Sequence, residues 1–504
     1  MAVLAAGTLL VSGGSGADPR TPRGLVGMPP PFLGTAVVGD GGLTAAIDAY
    51  GDVVDLRAPG PAGRALIDNP SDRQAAGTVP ADTGIVPWVS IGGHAARPLW
   101  TADRVAQRYL PGTNVLVTTA RLGAARVRIA YAAGNSDLAC IVGGGKGIRV
   151  SLRSGEPAAA GRLDCDDPAA RRILRADERG GRRWLRAARP LAASAPRWAV
   201  EMYERSLLVL RALTGHRSGA LAAGARDGWA YVWPRDAATT ALALNAAGYG
   251  AEARRVTRFL LRLDLGAAAR FHENGEPVPG RGAQGDASGW AAAAAKAVGL
   301  RPPAPLSWRN RPDYQEGEAG DYLGNAIAAT AEGTRATGID RLSPPRQGLV
   351  RRLGDPASGL DSAAAWAVRP FSQPRLYPSA RRTLRRLLAQ GSRFGITPGE
   401  AWPYRDPWSA PTAWSAWSLA ALAGRKSERR ASVDRRGALR LLADLRRAAT
   451  PAGLLPERVD ARTGLPRSTT PLAWSHAFAI LALQELWPGL PIRRRWSLRR
   501  GASG

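Results

Sequence analysis

The stretch YVWPRDAATTALALNAAGYG, residues 231–250, marks the point at which the periodicity of this chain becomes helical. Its aromatic start leads to Pro234, which suits the first turn of a helix because proline has no N–H to lose there. Asp236 follows at a position where the N-terminus of a helix favours an anion. Small and apolar residues then continue to a glycine. The stretch therefore predicts a helix that carries aromatic rings and an Arg-Asp pair at its mouth.

Helical spacing of apolar residues recurs through residues 196–490. Segments of this kind mostly end near Gly or Pro, and they include RWAVEMYERSLLVLRALTG, SARRTLRRLLAQG, PTAWSAWSLAALAG, RGALRLLADLRRAA and PLAWSHAFAILALQELW. The pattern predicts an all-α domain of about ten helices. Regular alternation of helices and loops is compatible with a toroid of helical hairpins.

The preceding part of the chain, from about Phe32 to Ser194, has the alternating pattern of strands. LTAAIDAYGDVVDLRAPG alternates around a turn at Tyr50-Gly51, and NVLVTTARLGAARVRIAY alternates around Gly123. Short β-rich runs divided by Gly, Pro, Asn and Asp predict an antiparallel β-sandwich over residues 25–190. The segment PLAASAPRW, residues 190–198, is interpreted as the linker between the two domains.

The two ends of the chain differ in composition from the segments between them. Residues 1–24 begin with an apolar stretch and reach small residues by Ala17, which is typical of a secretory leader without its charged start. Export to the cell envelope or the medium is therefore expected, with a cytoplasmic location as the alternative. No apolar run reaches the ~20 residues that span a bilayer. Residues 491–504 are interpreted as a solvated basic tail.

The formal charge of +28 would suggest a nucleic-acid partner, but the basic residues are almost all arginine and are scattered along the chain. We therefore expect no nucleic-acid partner. The two cysteines, Cys140 and Cys165, have neither Cys-x-x-Cys nor His-rich spacing, so a single disulfide or two structural thiols are expected and a metal site is not.

Tryptophan is concentrated in the helical domain, where residues 196–490 contain twelve of the sixteen. Several of them lie in or beside connections: Trp229, Trp233, Trp290, Trp308, Trp402 and Trp408. An indole offers a flat apolar face to a sugar ring and an N–H donor, so carbohydrate is the first ligand class to consider. The alternative is that these rings fill gaps between helices.

Two further stretches carry acids in front of predicted helices. RPDYQEGEAGDYLGNAIAATAEG, residues 311–333, places Asp313, Glu316, Glu318 and Asp321 together, where like charges would keep one acid protonated. GLLPERVDARTGLPRSTTPLAWSHAFAILAL, residues 453–483, places Glu457 before a helix whose N-cap and first residue we predict to be Thr470 and Pro471. The alternatives are an acidic helix start, which the helix dipole favours, and a solvated surface glutamate.

Arg235 and Asp236 admit two interpretations as well. They could grip vicinal hydroxyls, the guanidinium donating and the carboxylate accepting, or they could be a helix cap with a neighbouring salt bridge.

Taken together, these stretches resemble the glucoamylase-like glycoside hydrolases of family 15. YVWPRDAATTALAL is similar to the family's aromatic-x-Trp-x-Arg-Asp segment, and PDYQE to its Asp-Tyr-Trp-Glu acid segment. LLPERVD and TTPLAWSHAFAILAL resemble its Leu-x-Glu-Gln base segment and the helix after it, while ENGEPVPGRGAQGDASGW lies where the family has a substrate loop. The N-terminal half resembles the β-sandwich of prokaryotic members.

This resemblance implies an (α/α)6 barrel and an inverting reaction with no cofactor, in which two carboxyl groups stand ~6.5–9.5 Å apart. Glu316 would be the general acid and Glu457 the general base. The implied substrate-binding residues are Arg235, Asp236, Trp233, Trp290, Asp286, Asp313 and Trp474. The implied partner is an α-glucan from whose non-reducing end glucose is released by a monomeric enzyme.

The chain departs from the family pattern at two positions beside the implied catalytic pair. Gln315 replaces the usual Trp before the acid, and Arg458 replaces the Gln after the base, where a cation should favour the ionised form of Glu457. The loop around Arg405 matches only loosely. A trehalase or an α-1,6-glucan hydrolase would use the same pair of acids, and a carbohydrate-binding pseudoenzyme is the alternative from another class.

Overall fold

A computed structural model describes residues 24–68, 84–134, 137–154, 163–165, 168–333, 348–424 and 428–489. The predicted leader up to residue 23 and the predicted basic tail lie outside these residues. Within them, no helix combines the length and the apolar character that crossing a bilayer requires.

Two β-sheets form the N-terminal part of the described chain. The first follows the order β1-β2-β3-β5-β11, with β4 beside β3 and β6 beside β5, and the second follows the order β12-β10-β9-β8-β7. Pairing is antiparallel except between β10 and β12. The strands are β1 (Gly34–Gly39), β2 (Thr44–Asp48), β3 (Val53–Ala58), β4 (Arg64–Asp68), β5 (Ile85–Ile91), β6 (Arg97–Pro98), β7 (Arg104–Tyr109), β8 (Leu116–Leu122), β9 (Ala125–Ala133), β10 (Leu138–Gly144), β11 (Ile148–Ser154) and β12 (Leu163–Cys165).

Both hairpins expected from the sequence are present. The turn between β2 and β3 contains Gly51 with a φ of 92°, and the turn between β8 and β9 contains Gly123 with a φ of 60°. Glycine adopts these left-handed angles without steric cost, so the two glycines fix where each strand reverses.

The α-helices described are α1 (Pro168–Ala187), α2 (Arg197–Ala212), α3 (Pro234–Ala246), α4 (Gly250–Leu260), α5 (Ala287–Ala297), α6 (Leu323–Ala329), α7 (Tyr377–Gln390), α8 (Ser409–Ala423), α9 (Glu428–Ala448) and α10 (Ala473–Leu486). A short 3-10 helix spans Ser362–Ala367. The expectation of a β-rich half followed by a helical half is confirmed.

The strand pattern ends earlier than predicted, because α1 occupies the last part of the segment that we interpreted as strands. Its buried positions, Ala170, Leu174, Asp177 and Gly181, are spaced by four, three and four residues and so lie on one helical face. This face packs against β9 and β10. The sandwich is therefore covered on one side by a helix of its own.

Six elements of the helical half contact one another in a closed order, and we call them the inner ring. They are α3, α5, α6, the 3-10 helix, α8 and α10, which returns to α3. Helices α2, α4, α7 and α9 contact the inner ring from outside. Because ring helices such as α8 and α10 are buried almost along their whole length, their sequences are apolar on all sides.

Strands β1, β2 and β3 of the first sheet are buried on both faces. On one side the Tyr109 hydroxyl of β7 donates to the Val37 carbonyl oxygen over 2.6 Å. On the other side the Thr44 hydroxyl donates to the carbonyl oxygen of Ala212 in α2 over 3.1 Å. Every residue of β1 and β2 is consequently buried, and both sheets share one hydrophobic core with the helices.

Cys140 lies in β10 and is disulfide-bonded. The parallel register sets it opposite Cys165 of β12. The structure therefore has a single disulfide within the sandwich, which is one of the two arrangements that the sequence left open.

Candidate active site

A cavity of about 380 Å³ opens where helices of the inner ring begin. Three of its lining residues are N-cap residues: Trp233 precedes α3, Trp408 precedes α8 and Leu472 precedes α10. The lining residues are Trp229, Trp233, Arg235, Asp236, Tyr314, Gln315, Glu316, Trp402, Tyr404, Trp408, Glu457, Arg458, Leu472 and Trp474. Four separate stretches of sequence, 229–236, 314–316, 402–408 and 457–474, therefore meet at one cavity.

Six of the nine residues predicted for the site line this cavity: Glu316, Glu457, Arg235, Asp236, Trp233 and Trp474. Two others, Asp286 and Asp313, are almost fully buried behind the lining, where each carboxylate binds an arginine. They hold other side chains in place and do not form the cavity wall.

Trp290 has a different position from the one implied by the family resemblance. Its ring is fully buried and packs edge-on against Trp366, Phe371 and Phe478. The reason is that Trp290 lies on a face of α5 that points into the aromatic core of the inner ring. It fills space between helices, the alternative considered for each tryptophan, and does not line the cavity.

Arg235 is fixed by two partners on the loop before α5. Its Nη1 donates to Oδ2 of Asp286 over 2.7 Å and to Oε1 of Gln284 over 2.9 Å. The guanidinium carbon lies 4.5 Å from the ring centroid of Trp474, a cation–π distance. With its side chain held on two sides, the guanidinium presents a fixed positive charge to the cavity.

Asp236 lies beside that guanidinium at the closed end of the cavity. Burial raises its pKa to about 7, although the Arg235 charge and the backbone N–H of Trp474 favour the ionised form. The Glu457 charge raises it further, so the two carboxyls lie within electrostatic range. Among the described atoms, Oδ1 of Asp236 has no hydrogen-bond partner. A buried acceptor without a partner on a cavity wall is a suitable contact for a ligand hydroxyl.

Glu457 is held by its backbone on both sides. Its N–H donates to the Thr469 carbonyl oxygen, and its own carbonyl oxygen accepts from Ser409 N–H, both over 2.9 Å. The carboxyl group, which is buried, accepts hydrogen bonds from the Ser468 hydroxyl and from the Trp229 side chain. Glu457 is therefore a fixed cavity residue, and the solvated alternative is wrong.

Burial raises the pKa of Glu457, whereas Ser468, Arg458, Trp229 and Arg281 lower it. The expected influence of Arg458 has the right sign, but desolvation outweighs it. Arg458 also forms an ion pair with Asp406 at 3.4 Å, and this opposite charge offsets part of the effect of Arg458 on Glu457. A buried carboxyl group with a raised pKa is suited to proton transfer near neutral pH.

Glu316 lies at the open side of the cavity on a tight turn. Its φ is 57°, a left-handed angle that is uncommon for a residue with a side chain. Its N–H donates to the Asp313 carbonyl oxygen over 3.0 Å, and the Asp313 carboxylate is clamped by Arg351 at 2.7 and 2.8 Å. Asp313 thus holds the turn that carries Glu316.

The four acids of this stretch do not crowd one another as the sequence suggested. Each has an arginine of its own: Asp313 with Arg351, Glu316 with Arg281, Glu318 with Arg352 and Asp321 with Arg309. Arginines from other loops therefore supply a local charge balance that linear spacing did not indicate. Arg281, whose guanidinium also lies 5.7 Å from the ring centroid of Trp233, was not predicted from its sequence motif.

Gln315 is tied into a polar network beneath the cavity. Its amide donates to Oδ2 of Asp361 over 2.7 Å and to the Tyr314 hydroxyl over 3.1 Å, while that hydroxyl donates to Asp361 over 3.0 Å. Burial raises the pKa of Asp361 to about 7. The side chain is thus anchored at the start of the 3-10 helix and adds no aromatic wall.

Aromatic surface comes from another loop instead. Trp402 lies 5.4 Å from Tyr404 and 5.0 Å from Trp408 between ring centroids, and Tyr404 is 66 % exposed. Tyr404 was not singled out from the sequence; the signal was its place in AWPYRDPW, a loop dense in aromatic residues.

The start of α10 also differs from the prediction. The helix begins at Ala473, so Thr470 is not its N-cap and Pro471 is not its first residue. The backbone N–H groups of Leu472 and Ala473 are bonded instead to the carbonyl oxygens of Leu455 and Ala223. These bonds keep the chain extended for longer and bring Leu472 to the cavity.

Comparison with protein-family models and with the sequences of curated proteins gave no match. Among solved structures, a bacterial glucoamylase complexed with acarbose is similar, with a TM-score of 0.61 at 12% identity over 94% of this chain and 96% of that chain. Glucoamylase from Saccharomycopsis fibuligera has a TM-score of 0.47 at 14% identity, over 59% of this chain and 96% of its own. A wild-type glycosidase has a TM-score of 0.45 at 21% identity, over 57% and 96%. The first of these likenesses shows that the chain shares the fold of that bacterial glucoamylase; the other two are too low to carry an argument.

Proposed function

We propose that this chain is an inverting, exo-acting glycoside hydrolase that releases glucose from the non-reducing ends of α-glucans. The observation that carries the proposal is the meeting of Glu316 and Glu457, from distant loops, at one cavity that also contains Arg235 and Asp236. We infer that the inner ring is the inner layer of an (α/α)6 barrel. The fold shared with a bacterial glucoamylase supports both inferences.

In the proposed reaction the terminal glucose occupies the closed end of the cavity. Arg235 donates to its hydroxyls and the free oxygen of Asp236 accepts from them, while tryptophan rings pack against its C–H face. A cavity of about 380 Å³ lies at the small end of the range for ligand pockets, which suits the end of a chain better than its middle. This size is the reason for proposing exo-action.

The two carboxyl groups have different roles in the proposed reaction. Glu316 gives its proton to the glycosidic oxygen as the bond to the anomeric carbon breaks, and Glu457 takes a proton from the water that attacks the opposite face. Burial of Glu457 and its bonds from Ser468 and Trp229 suit a base of fixed orientation. Solvent restores both protonation states after the sugar leaves.

Loss of either carboxyl group tests the assignment. Glu316→Gln and Glu457→Gln should each abolish turnover while binding is largely kept, because the amide is similar in shape but can neither donate the proton nor accept one. Maltotriose, trehalose and isomaltose serve as substrates, with released glucose and its anomeric form followed by NMR. β-Glucose formed first from one of them would identify the linkage and the inversion.

Glu318→Gln is the matched control, because Glu318 lies on the same loop but its side chain is 92% exposed and its carboxylate lies 3.8 Å from Arg352. It should retain wild-type activity. Near wild-type turnover by the Glu316 or Glu457 variant would remove that residue from the mechanism.

Trehalase or α-1,6-glucan hydrolase activity would use the same carboxyl pair, and the three substrates separate these possibilities. A non-catalytic carbohydrate-binding protein is the second candidate, favoured by the ion pair that occupies Glu316 and by Gln315 and Arg458. Sugar binding by the wild-type chain without release of glucose would support it. We also propose that the chain acts as an exported monomer with no cofactor and no nucleic-acid partner.

A further inference from the structure

Arg281 contacts the proposed acid but has no part in the mechanism so far. Its Nη1 forms an ion pair with Oε2 of Glu316, and its guanidinium faces the ring of Trp233. Its charge also acts on Glu457, which places it within electrostatic range of both carboxyl groups. Among the described ion pairs, this is the one that involves a proposed catalytic carboxylate.

The ion pair conflicts with the task of a general acid. A guanidinium next to a carboxylate favours the ionised form, whereas a general acid must hold a proton when the glycosidic bond breaks. The ion pair of the free chain therefore opposes the protonated state that the proposed role of Glu316 requires. Something has to separate the two side chains before catalysis.

The position of the pair indicates what separates them. The side chains of Arg281 and Glu316 are 39% and 35% exposed, whereas Arg235 and Asp236 are each 4% exposed. A terminal sugar held by Arg235 and Asp236 would thus extend its leaving group toward the Arg281–Glu316 pair. The hydroxyl oxygens of a second sugar can accept hydrogen bonds from the Arg281 guanidinium in place of the Glu316 carboxylate.

We propose, resting on the proposed function, that Arg281 senses a sugar on the leaving-group side of the cavity and so controls the protonation of Glu316. When that sugar binds, its hydroxyl oxygens accept hydrogen bonds from the N–H groups of Arg281. The released Glu316 carboxylate then takes up one proton from solvent. Glu316 passes this proton to the glycosidic oxygen. Arg281 is thereby a specificity-determining residue for the leaving group.

Proton uptake on binding is the direct test. Calorimetry is carried out on the full chain carrying Glu457→Gln, which should prevent turnover, at the pH of highest wild-type activity in two buffers of different ionisation enthalpy. The ligands are glucose and whichever of maltose, isomaltose or trehalose the wild-type chain hydrolyses. The disaccharide should bind with a net uptake of protons, at most one per site, and glucose, which fills the closed end alone, with none.

Adding Arg281→Gln should abolish the difference between the two ligands, and Arg281→Lys, which keeps the charge, should largely preserve it. The matched control is Arg309→Gln, since Arg309 pairs with Asp321 near the same loop without contacting Glu316. It should leave the uptake unchanged. Circular dichroism and thermal unfolding verify that each variant is folded.

The pH profile of the active chain provides a second measurement. With Arg281→Gln, the alkaline limb of kcat/KM, which Glu316 sets, should move to higher pH. The acid limb set by Glu457 should move in the same direction by less, because Arg281 has a smaller influence on the pKa of Glu457 than Ser468, Arg458 and Trp229 have. A disaccharide that binds and is hydrolysed without proton uptake, or with the same uptake in the Arg281→Gln variant, overturns the inference alone. A wild-type chain that neither binds nor hydrolyses any of the disaccharides refutes the proposed function, and the inference with it.

Discussion

Asp286→Asn is expected to lower the free energy of unfolding by about 3 kcal/mol, because it removes the carboxylate that forms an ion pair with the buried guanidinium of Arg235. The pair is 2.7 Å long, and its side chains are 5% and 1% exposed. Removing one partner of such a pair typically costs about 3–5 kcal/mol. We take the lower end because Gln284 still accepts from the same nitrogen at 2.9 Å. Urea unfolding followed by tryptophan fluorescence measures the change.

A matched pair on the surface provides the control. Arg309 and Asp321 are also 2.7 Å apart, but their side chains are 56% and 33% exposed. Water screens such a pair, so Asp321→Asn should cost less than about 1 kcal/mol. Equal losses in the two variants, or a loss below about 1 kcal/mol for Asp286→Asn, would refute the argument that burial of the Arg235 pair determines its contribution.

Two further predictions concern the core around the site. Trp290→Ala should destabilise the chain by about 3–5 kcal/mol and leave the KM of the folded protein unchanged, since the ring fills space between helices; a KM increase as large as that of Trp233→Ala would contradict this. His476 accepts from Leu455 N–H over 3.0 Å and bonds Ser206 over 2.9 Å, and its burial lowers its pKa to about 3. Below about pH 6.5 the unfolded chain binds a proton that the folded chain does not, so stability falls as the pH drops from there to about 3, by about 5 kcal/mol in total. His476→Gln should flatten the dependence of Tm on pH over that window, and parallel curves for the two proteins would show that His476 does not cause it.

Local pattern was sufficient for much of the fold. The hairpins around Gly51 and Gly123 and the start of α3 at Pro234 follow from turn chemistry and helix capping, which act within a few residues. The helix α1 was missed because its arginine-rich surface hides a narrow apolar face. The start of α10 was misplaced because its first N–H groups bind carbonyl oxygens that are remote in sequence, at Leu455 and Ala223.

For the site, sequence motifs indicated which loops matter but not how charges pair between them. Glu316, Glu457, Arg235 and Asp236 lie in motifs of their own and were chosen on that basis. The partner of Glu316 was not found, since Arg281 belongs to a loop that carries no acid–base pattern. Side chains paired across distant loops depend on the three-dimensional arrangement, which linear spacing does not encode.

The burial of β1, β2 and β3 on both faces determines how the sandwich is joined to the helical half. Many accessory domains are joined to their enzymes by linkers and polar contacts, and can be removed or exchanged. Here α2 packs against the first sheet. If the helical half were separated by a cut at residues 190–198, the apolar side chains of β1 and β2 that face α2 would be exposed to water. Attempts to delete the sandwich, to transfer the helical half or to evolve it therefore have to treat the strands and helices as a single folding unit.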